Sequence, residues 1–411
     1  MFVSGYRCTL CNQEFAYEKD MLTCPSCGEK GILDIVFDYN EIKTVFNRDT
    51  LNRDRTNSIW RYRALLPVEG ANWERFLRVG YTPLYRSNNL ERALNVKALY
   101  IKDDGINPTA SLKDRASAVA VMRAMELGYE TIACSSTGNA ASSLAGNAAR
   151  MGVKTVIFVP ERAPKGKVSQ LLIFGANVIS VKGNYRQTFE LSRAAIDKWD
   201  FYNRNAGINP IMIEGKKTVS LEIAEQMLYR PSDWVALSVG DGCTIGGVYN
   251  GFRDLYELGM IEKIPKILGV QSSGCCPFVD AAARGGDLEP AEENTLADSI
   301  AVGVPRNPIK ALRAVKESQG AWIAVTDDDI LSAMRLLGST EGVFSEPAAA
   351  TAAAGVKAAV EKGLIKENES VTVISSGSGL KDVNNAMKAA GEPFSCAPDI
   401  GALERSGKIK A

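Results

Sequence analysis

The sequence of 411 residues contains no histidine, and this absence excludes several catalytic mechanisms at once. Histidine is the most frequent general base in enzymes and the most frequent metal ligand in proteins. Ser–His–Asp triads, Cys–His pairs and histidine-ligated metal centres are therefore excluded. If the protein is an enzyme, its protons must be moved by lysine, carboxylates, tyrosine, cysteine, water or a cofactor, and we expect a cofactor combined with lysine chemistry.

The sequence also lacks an excess of either charge and a long apolar run. Its 48 basic residues balance 48 acidic ones, so no overall field attracts nucleic acid or an anionic membrane. No apolar run has the length of a membrane span, and the first residues do not resemble a signal peptide. Nine cysteines without an export signal argue against a disulfide framework. We therefore expect a cytoplasmic protein with neither a nucleic-acid nor a membrane partner.

Four of the nine cysteines form two pairs near the N-terminus, Cys8-x2-Cys11 and Cys24-x2-Cys27, with twelve residues between them. Two such pairs can supply four thiolates to one tetrahedral zinc ion, the closed arrangement of structural zinc sites. With every position filled by sulfur, the ion would stabilise a zinc-ribbon-like module at residues 1–40 and take no part in catalysis. A metal-free hairpin with reduced thiols and a redox-active pair are the alternatives.

The remainder of the chain alternates short β-branched runs with alanine-rich stretches and glycines, the pattern of parallel α/β domains. Residues 41–75 are charged and rich in asparagine, and their lack of periodicity indicates a connecting arm. The predicted strands lie at residues 98–101, 131–134, 155–159, 178–181, 234–239, 267–270 and 371–374. The predicted fold class is α/β with open, mainly parallel sheets.

Three of the predicted strands lead into loops of glycine, serine, threonine and asparagine, at residues 134–141, 240–247 and 375–382. In open parallel sheets, ligands bind beyond the carboxyl ends of the strands, where such loops converge. The second loop is the best phosphate site, because its glycines let main-chain N–H groups approach an anion at the start of the next helix. Its Asp241 would repel a phosphate, so we expect this carboxylate to point away. For this segment alone, an ordinary glycine-rich turn is the alternative.

A fourth segment, NPTASLKDR at residues 107–115, places Lys113 at the first turn of a predicted helix. The positive end of the helix dipole disfavours an ammonium there and favours a free amine. A neutral lysine amine is the nucleophile that forms a Schiff base. The alternative is a surface lysine paired with Asp114 or another carboxylate.

Four ordered motifs together resemble the threonine synthase family of the fold-type II pyridoxal-phosphate enzymes. They are NPTASLKDR at 107–115, STGNA at 136–140, the glycine-rich loop at 240–247 and SGSGLKD at 376–382. Shorter matches are YTPL at 81–84 and GVFSEP at 342–347. The resemblance covers residues 80–385, and some members of the family also carry an N-terminal zinc ribbon.

The resemblance implies a set of cofactor contacts. Lys113 would hold pyridoxal phosphate as a Schiff base and, after substrate exchange, would act as the base at the substrate Cα. Asn139 would contact the 3-hydroxyl of the cofactor, and Ser376 would face its pyridine nitrogen. The cofactor phosphate would be bound by the loop that contains Gly240, Asp241 through its backbone, Gly242, Cys243 and Thr244. The cofactor would serve as the electron sink, so the lack of histidine is no obstacle.

The resemblance also implies a substrate and a domain arrangement. The family converts O-phosphohomoserine and water to threonine and phosphate. Ser136 and Thr137 would bind the carboxylate of this amino acid, and Lys167 would face its phosphate. A small mobile domain would comprise residues 116–204, and the large cofactor-binding domain residues 76–115 and 205–400, with a tail at 401–411. Closure of the small domain would exclude water, and a homodimer is the usual state in the family.

The sequence departs from the family at the expected site for the substrate phosphate. The family pattern is NSxNPxRxEGQKT, whereas residues 206–218 read AGINPIMIEGKKT. The expected Asn, Ser and Arg therefore fall on Ala206, Gly207 and Met212. Replacing arginine with methionine removes both the charge and the bidentate geometry of a phosphate ligand. Three basic residues are candidates to compensate: Arg204, Lys216 and Lys217.

Two further hypotheses follow. The first keeps Lys113 and the cofactor but replaces the substrate with an unphosphorylated or differently substituted amino acid, which would undergo β-elimination or β-replacement. The second is a non-catalytic binding protein that recognises nucleic acid or protein through its zinc ribbon. The balanced charge of residues 1–40 and the presence of Lys113 argue against the second.

Overall fold

The computed structural model describes residues 1–17, 21–163 and 165–409. Residues 18–20 of the predicted N-terminal module and residues 410–411 of the predicted tail lie outside these ranges. Three β-sheets organise the described residues, one at the N-terminus and two in the body of the molecule. Among the helices of the described residues, none is both long and apolar enough to cross a membrane.

The N-terminal sheet is antiparallel and small. Its strands are β1 (Val3–Cys8), β2 (Glu14–Phe15), β3 (Thr23–Cys24) and β4 (Gly28–Phe37). They lie in the order β2-β1-β4-β3, so the long β4 pairs with both β1 and β3. This pairing brings the two cysteine pairs of the sequence to the same end of the sheet.

Short helices follow this sheet, where the sequence predicts a connecting arm. They are α1 (Tyr39–Val45), α2 (Arg48–Arg53) and two 3-10 helices at Ile59–Leu65 and Trp73–Arg75. The side chains of Asp38 and Asn47 cap the first two helices, which explains why so polar a segment is helical. Trp60 and Tyr62 are buried in the apolar core. The segment is therefore folded onto the body of the molecule.

The body alternates strands and helices along the chain. The elements up to residue 203 are β5 (Leu84–Arg86), α3 (Asn88–Leu94), β6 (Ala98–Asp103), α4 (Lys113–Glu126), β7 (Thr131–Ser135), α5 (Asn139–Met151), β8 (Lys154–Pro160), α6 (Lys165–Ile173), β9 (Asn177–Val181), α7 (Tyr185–Trp199) and β10 (Tyr202–Asn203). The later elements are α8 (Ile211–Gln226), β11 (Trp234–Ser238), α9 (Cys243–Glu257), β12 (Lys266–Ser272), α10 (Pro277–Arg284), α11 (Pro308–Glu317), β13 (Ala321–Val325), α12 (Asp327–Glu341), α13 (Pro347–Glu361), β14 (Ser370–Ser375), α14 (Val383–Ala390) and α15 (Ile400–Arg405). Short 3-10 helices at Asp104–Ile106, Asp298–Ile300 and Gly379–Lys381 complete the body.

Two open sheets carry these strands. The smaller has the order β10-β7-β8-β9 and is wholly parallel. The larger has the order β13-β12-β11-β14-β6-β5 and is parallel except at its edge, where β5 runs antiparallel to β6. The α/β fold with two open, mainly parallel sheets is confirmed. Every strand predicted from the sequence is present, and β5, β10 and β13 are additional strands of these two sheets.

Close helix packing at the centre of the body brings the loops of the two sheets together. Helix α8 packs against α4 on one side and α9 on the other. Glycines permit this approach: a Cβ atom at Gly215 would lie 2.5 Å from the carbonyl oxygen of Arg115, and one at Gly251 would lie 2.5 Å from that of Lys217. The N-termini of α4 and α9 are thereby held next to one another.

Candidate active site

Lys113 is the first residue of α4, and the loop before it is fixed by buried polar contacts. The Asp114 carboxylate accepts hydrogen bonds from the Thr109 N–H and hydroxyl (2.8 and 2.9 Å) and from Asn147 Nδ2 (2.8 Å). Arg115 is fully buried and pairs with Asp104 at 2.6 Å and with a glutamate of α8 at 2.5 Å. Asp114 is therefore engaged by the loop and does not anchor Lys113, whose side chain lines a cavity.

The surroundings of Lys113 favour its neutral form. Removal from water lowers the pKa of the amine, and the nearby Arg204 guanidinium lowers it further, whereas Asp241 and Glu346 oppose this change. The position at a helix N-terminus acts in the same direction. Lys113 therefore has the properties of a nucleophilic lysine.

The loops after β7, β11 and β14 converge on Lys113, as their positions at the carboxyl ends of parallel strands predict. The Leu112 N–H donates to the Ser376 carbonyl oxygen at 2.8 Å, and the Ser378 N–H donates to that of Ala110 at 3.1 Å. The resulting space is called here the first cavity. Its lining includes Lys113, Ser136, Asn139, Arg204, Lys216, Gly240, Asp241, Gly242, Cys243, Thr244, Arg306, Glu346 and Ser376.

A second cavity adjoins the first and shares Asn139 and Glu346 with it. Its lining also includes Thr137, Ser142, Lys167, Gln170, Asp298 and Lys381. Lys167 lies 2.5 Å from the Asp298 carboxylate, and Lys381 donates to Ser142 Oγ at 2.9 Å. The predicted substrate residues are thus divided: Ser136 lines the first cavity, and Thr137 and Lys167 line the second.

One hydrogen bond joins the two cavities. Asn139, the first residue of α5, donates from Nδ2 to Glu346 Oε1 at 2.8 Å. Burial raises the pKa of Glu346 to about 7, although Lys381, Asn139 and other neighbours oppose the change. A Cβ atom at Gly377 would lie only 2.5 Å from Glu346 Oε1, so the glycine of the third loop is needed to admit this carboxylate.

The glycine-rich loop after β11 ends at the N-terminus of α9. Gly242 has a φ angle of +85°, and a Cβ atom there would lie 2.6 Å from the Asn307 carbonyl oxygen. The first N–H groups of an α-helix lack intrahelical partners, so this turn offers donors to an anion. Asp241 accepts a hydrogen bond at Oδ1 from the Arg306 N–H at 2.9 Å. Its carboxylate is therefore engaged by the backbone at the cavity wall.

The structure separates the candidate phosphate ligands of the 204–218 segment. Arg204 and Lys216 are buried and line the first cavity. Lys217 instead pairs with Asp254 at 2.7 Å and with an acidic residue one helical turn away. Met212 is fully buried in the apolar core. The sequence alone does not distinguish Lys216, which lines the cavity, from the adjacent Lys217, which does not. The rotation of α8 about its axis decides which of the two side chains reaches the cavity.

The four N-terminal cysteines form one cluster. The ligand atoms of Cys8, Cys11, Cys24 and Cys27 all lie within 4.8 Å of one another, and Cys11 Sγ is 3.8 Å from Cys24 Sγ. Sulfurs bound to one tetrahedral zinc ion at about 2.3 Å are about 3.8 Å apart, so the donor set and its spacing fit zinc. Gly31 packs against the cluster, where a Cβ atom would lie 2.6 Å from the Cβ atoms of two of the cysteines.

Three residues that line the two cavities are not among those predicted from the sequence. Lys381 lies within the SGSGLKD motif and Glu346 within GVFSEP, so the motifs themselves were the signal. Arg306 lines the first cavity and stacks its guanidinium 3.9 Å from the centroid of the Phe189 ring. Nothing in its local sequence indicated this, because its partner lies more than a hundred residues away.

The family model described as "Pyridoxal-phosphate dependent enzyme" matches residues 76–377. A threonine synthase of Methanocaldococcus jannaschii is 40% identical over 402 residues, which cover 97% of this chain and 98% of that protein. A threonine synthase of Methanosarcina acetivorans is 37% identical over 409 residues, which cover 98% and 99%.

Solved structures give the same fold at lower identity. The processed form of threonine deaminase isoform 2 from Solanum lycopersicum has a TM-score of 0.66 and 21% identity, covering 85% of this chain and 96% of that one. Diaminopropionate ammonia lyase from Escherichia coli has a TM-score of 0.66 and 20% identity, covering 77% and 89%. At such identities the likeness establishes the fold alone. The match over residues 76–377 and the near full-length relatives show that the chain belongs to the fold-type II pyridoxal-phosphate-dependent enzymes and, among them, to the threonine synthase family.

Proposed function

We propose that the protein converts O-phosphohomoserine and water to threonine and phosphate. The observation that carries this proposal is that Lys113, a lysine with a lowered pKa, lines the same cavity as the glycine-rich N-terminus of α9. Full-length relatives at 37–40% identity named threonine synthase support the substrate assignment.

The first cavity fits pyridoxal phosphate. Lys113 supplies the amine that would hold the aldehyde, and the N-terminus of α9 supplies N–H donors for the phosphate. Asn139 and Ser376 line the same cavity and would contact the ring at its 3-hydroxyl and its nitrogen. Glu346 would hold the Asn139 amide in position through their hydrogen bond. When bound, the cofactor supplies an electron sink for the substrate carbon atoms.

The protein residues would orient the substrate and move its protons. The neutral amine of Lys113 would accept the Cα proton and return it at the end of the reaction. Ser136 and Thr137 precede α5, where their hydroxyls and the helix N-terminus would bind the substrate carboxylate. Lys167 and Lys381 line the second cavity and would bind the substrate phosphate in place of the missing arginine.

We also infer that residues 116–204 form the small mobile domain and that the chain is a homodimer, both supported by the family resemblance. A cytoplasmic location is in keeping with nine cysteines of which none forms a disulfide in the described residues. Light scattering of the purified protein tests the homodimer.

A structural zinc ion at the four-cysteine cluster is part of the same proposal. Cys8, Cys11, Cys24 and Cys27 would fill all four positions of a tetrahedral site, so the ion would stabilise the N-terminal sheet without contacting substrate. The Leu10 N–H lies 3.4 Å from Cys8 Sγ, a backbone contact of the kind that stabilises a thiolate.

The activity is tested by incubating the purified protein with O-phosphohomoserine and measuring threonine and inorganic phosphate. We expect equal amounts of both products from the wild type, and a loss of about a thousandfold or more in Lys113→Ala. Lys154→Ala is the matched control, since Lys154 is exposed on the small domain. Release of phosphate without threonine would contradict the assigned reaction.

One observation favours a second candidate function. Ala206 and Gly207 line the first cavity without donor side chains, and Met212 lies in the core, so three expected phosphate ligands are absent from these positions. A substrate without a distal phosphate would not need them. The corresponding reaction is β-elimination or β-replacement, and its mark would be a 2-oxo acid or a substituted product from serine, with no turnover of O-phosphohomoserine.

A further inference from the structure

The first cavity is lined by several basic side chains. Lys113, Arg204 and Lys216 all line it, close to the N-terminus of α9. Arg204 is 1% exposed and donates to the Ser117 hydroxyl at 2.9 Å. Lys216 is 0% exposed, and within the described parts of the chain its Nζ atom has no hydrogen-bond partner. The helix dipole adds a further partial positive charge.

An unpartnered buried ammonium is unfavourable unless a ligand compensates it. Burial lowers the pKa of Lys216 to about 7, and the charges of Lys113 and Arg204 contribute to the decrease, while Cys243 and Asp241 oppose it. The neighbouring Lys217 shows the usual solution for a structural lysine, because it is buried between two carboxylates. Lys216 lacks such partners although it is equally buried, so packing alone does not explain a lysine here.

The position of Lys216 indicates which anion it meets. Helix α8 lies against α9 at this residue, where a Cβ atom on Gly247 would be 3.1 Å from Lys216 Cβ. The two acidic groups that oppose the decrease in its pKa, Asp241 and Cys243, belong to the glycine-rich loop and to the first turn of α9. The lysines proposed for the substrate phosphate, Lys167 and Lys381, line the second cavity instead.

We propose that the Lys216 ammonium binds a phosphate group at the N-terminus of α9, and that this phosphate belongs to pyridoxal phosphate. The inference deepens the proposed function, since it rests on pyridoxal phosphate occupying the first cavity. The family pattern has glutamine at this position, so the charge is a feature of this chain. Lys216 is then a positioning residue that anchors the cofactor while Lys113 reacts.

The test compares two forms of the cofactor on the full-length protein. Wild type and Lys216→Gln are freed of cofactor and titrated with pyridoxal phosphate and with pyridoxal, which lacks the phosphate. Tryptophan fluorescence and visible absorbance report binding, and neither depends on the amino-acid reaction catalysed. Glutamine keeps the polarity and most of the length of the side chain. Lys216→Arg restores the charge, and circular dichroism confirms that the variants are folded.

We expect pyridoxal phosphate to bind about ten- to a hundredfold more weakly to Lys216→Gln, with pyridoxal affinity unchanged and with partial recovery in Lys216→Arg. Equal weakening for both forms would overturn the inference, because it would indicate a purely structural role. Unchanged cofactor affinity with a raised KM for a phosphorylated substrate would also overturn it, and would assign Lys216 to the substrate phosphate. A wild-type protein that binds neither form would overturn the proposed function itself.

Discussion

Lys167 on α6 forms an ion pair with Asp298, their Nζ and Oδ2 atoms being 2.5 Å apart at the wall of the second cavity. The pair connects α6, which contacts β9 of the smaller sheet, to the 3-10 helix at Asp298–Ile300. The aspartate is largely exposed, so the pair contributes about 1 kcal/mol or less. A phosphorylated substrate would therefore displace Asp298 from Lys167 at little cost.

Asp298→Asn is expected to lower the KM for O-phosphohomoserine by about fivefold or less, because the substrate phosphate no longer competes with a carboxylate for Lys167. Lys167→Ala is expected to raise the same KM by about tenfold or more. Steady-state kinetics measure both variants. A KM for O-phosphohomoserine that neither substitution changes would show that Lys167 does not bind the substrate.

Glu346→Gln is expected to change how the stability of the cofactor-free protein depends on pH. The folded-state pKa of Glu346, about 7, is above its ordinary value of 4.5, so the folded protein holds this proton more tightly. The free energy of unfolding therefore falls as pH rises from 4.5 through 7. Glu346 contributes at most about 3 kcal/mol to this fall. In Glu346→Gln, the free energy of unfolding should fall less over this pH range, because the contribution of Glu346 is missing. Urea unfolding at pH 5 and pH 8 measures the difference, and an identical pH dependence in both proteins would contradict a raised folded-state pKa of Glu346.

Cofactor binding at pH 8 is expected to take up protons through Lys216. With a pKa of about 7 in the cofactor-free protein, this amine is mostly neutral at pH 8, and a bound phosphate dianion would raise its pKa again. Calorimetry in two buffers of different ionisation enthalpy gives the number of protons. Lys216→Gln should take up about one proton fewer than wild type. The same proton number in both proteins would place Lys216 away from the phosphate.

Cys11→Ser is expected to remove bound zinc and to lower the melting temperature by about 5 °C or more, since the cluster needs four thiolates. Cys396→Ser is the matched control, because Cys396 is an exposed free thiol outside the cluster. Metal analysis and thermal unfolding measure the effect. Equal metal content in the two variants would exclude zinc at this cluster.

Zinc removal is also expected to weaken cofactor binding, by about twofold to tenfold. Asp34 on β4 pairs with Lys310 at 3.1 Å and Arg313 at 2.7 Å, and both belong to α11. Just before this helix, Asn307 donates to Cys243 Sγ at 3.3 Å. The N-terminal sheet thus supports the residue that holds the first turn of α9. Unchanged cofactor affinity in the zinc-free protein would show that this support is dispensable.

The sequence was sufficient to predict what depends on local pattern. The alternation of β-branched runs and glycine-rich loops predicts the parallel strands, and the convergence of loops on Lys113 follows from sheet geometry. The cysteine spacing predicts the cluster. In the structure, β4 is long enough to pair with both cysteine-bearing strands, β1 and β3, and so brings the two cysteine pairs together. These features depend only on the spacing of residues along the chain and on the rule that the loops after parallel strands lie at one edge of the sheet.

The contacts that could not be predicted from the sequence depend on the rotation of helices and on partners that are distant along the chain. Lys216 and Lys217 are adjacent, yet one lines the cavity and the other pairs with Asp254 of α9. Met212 is on the same helix but lies in the apolar core. The methionine that stands where the family has arginine therefore does not line the cavity. The contact of Asn139 with Glu346 spans more than two hundred residues and leaves no local trace.

The most direct test of the proposed function is the absorbance spectrum of the purified protein during sequential addition of serine, threonine and O-phosphohomoserine. We predict a visible band from the lysine-bound cofactor that is missing in Lys113→Ala. In the wild type this band should respond to O-phosphohomoserine, with release of phosphate and formation of threonine. A band that responds only to an unphosphorylated amino acid would contradict the assigned substrate. A protein without the band would contradict the assignment of Lys113 and the cofactor.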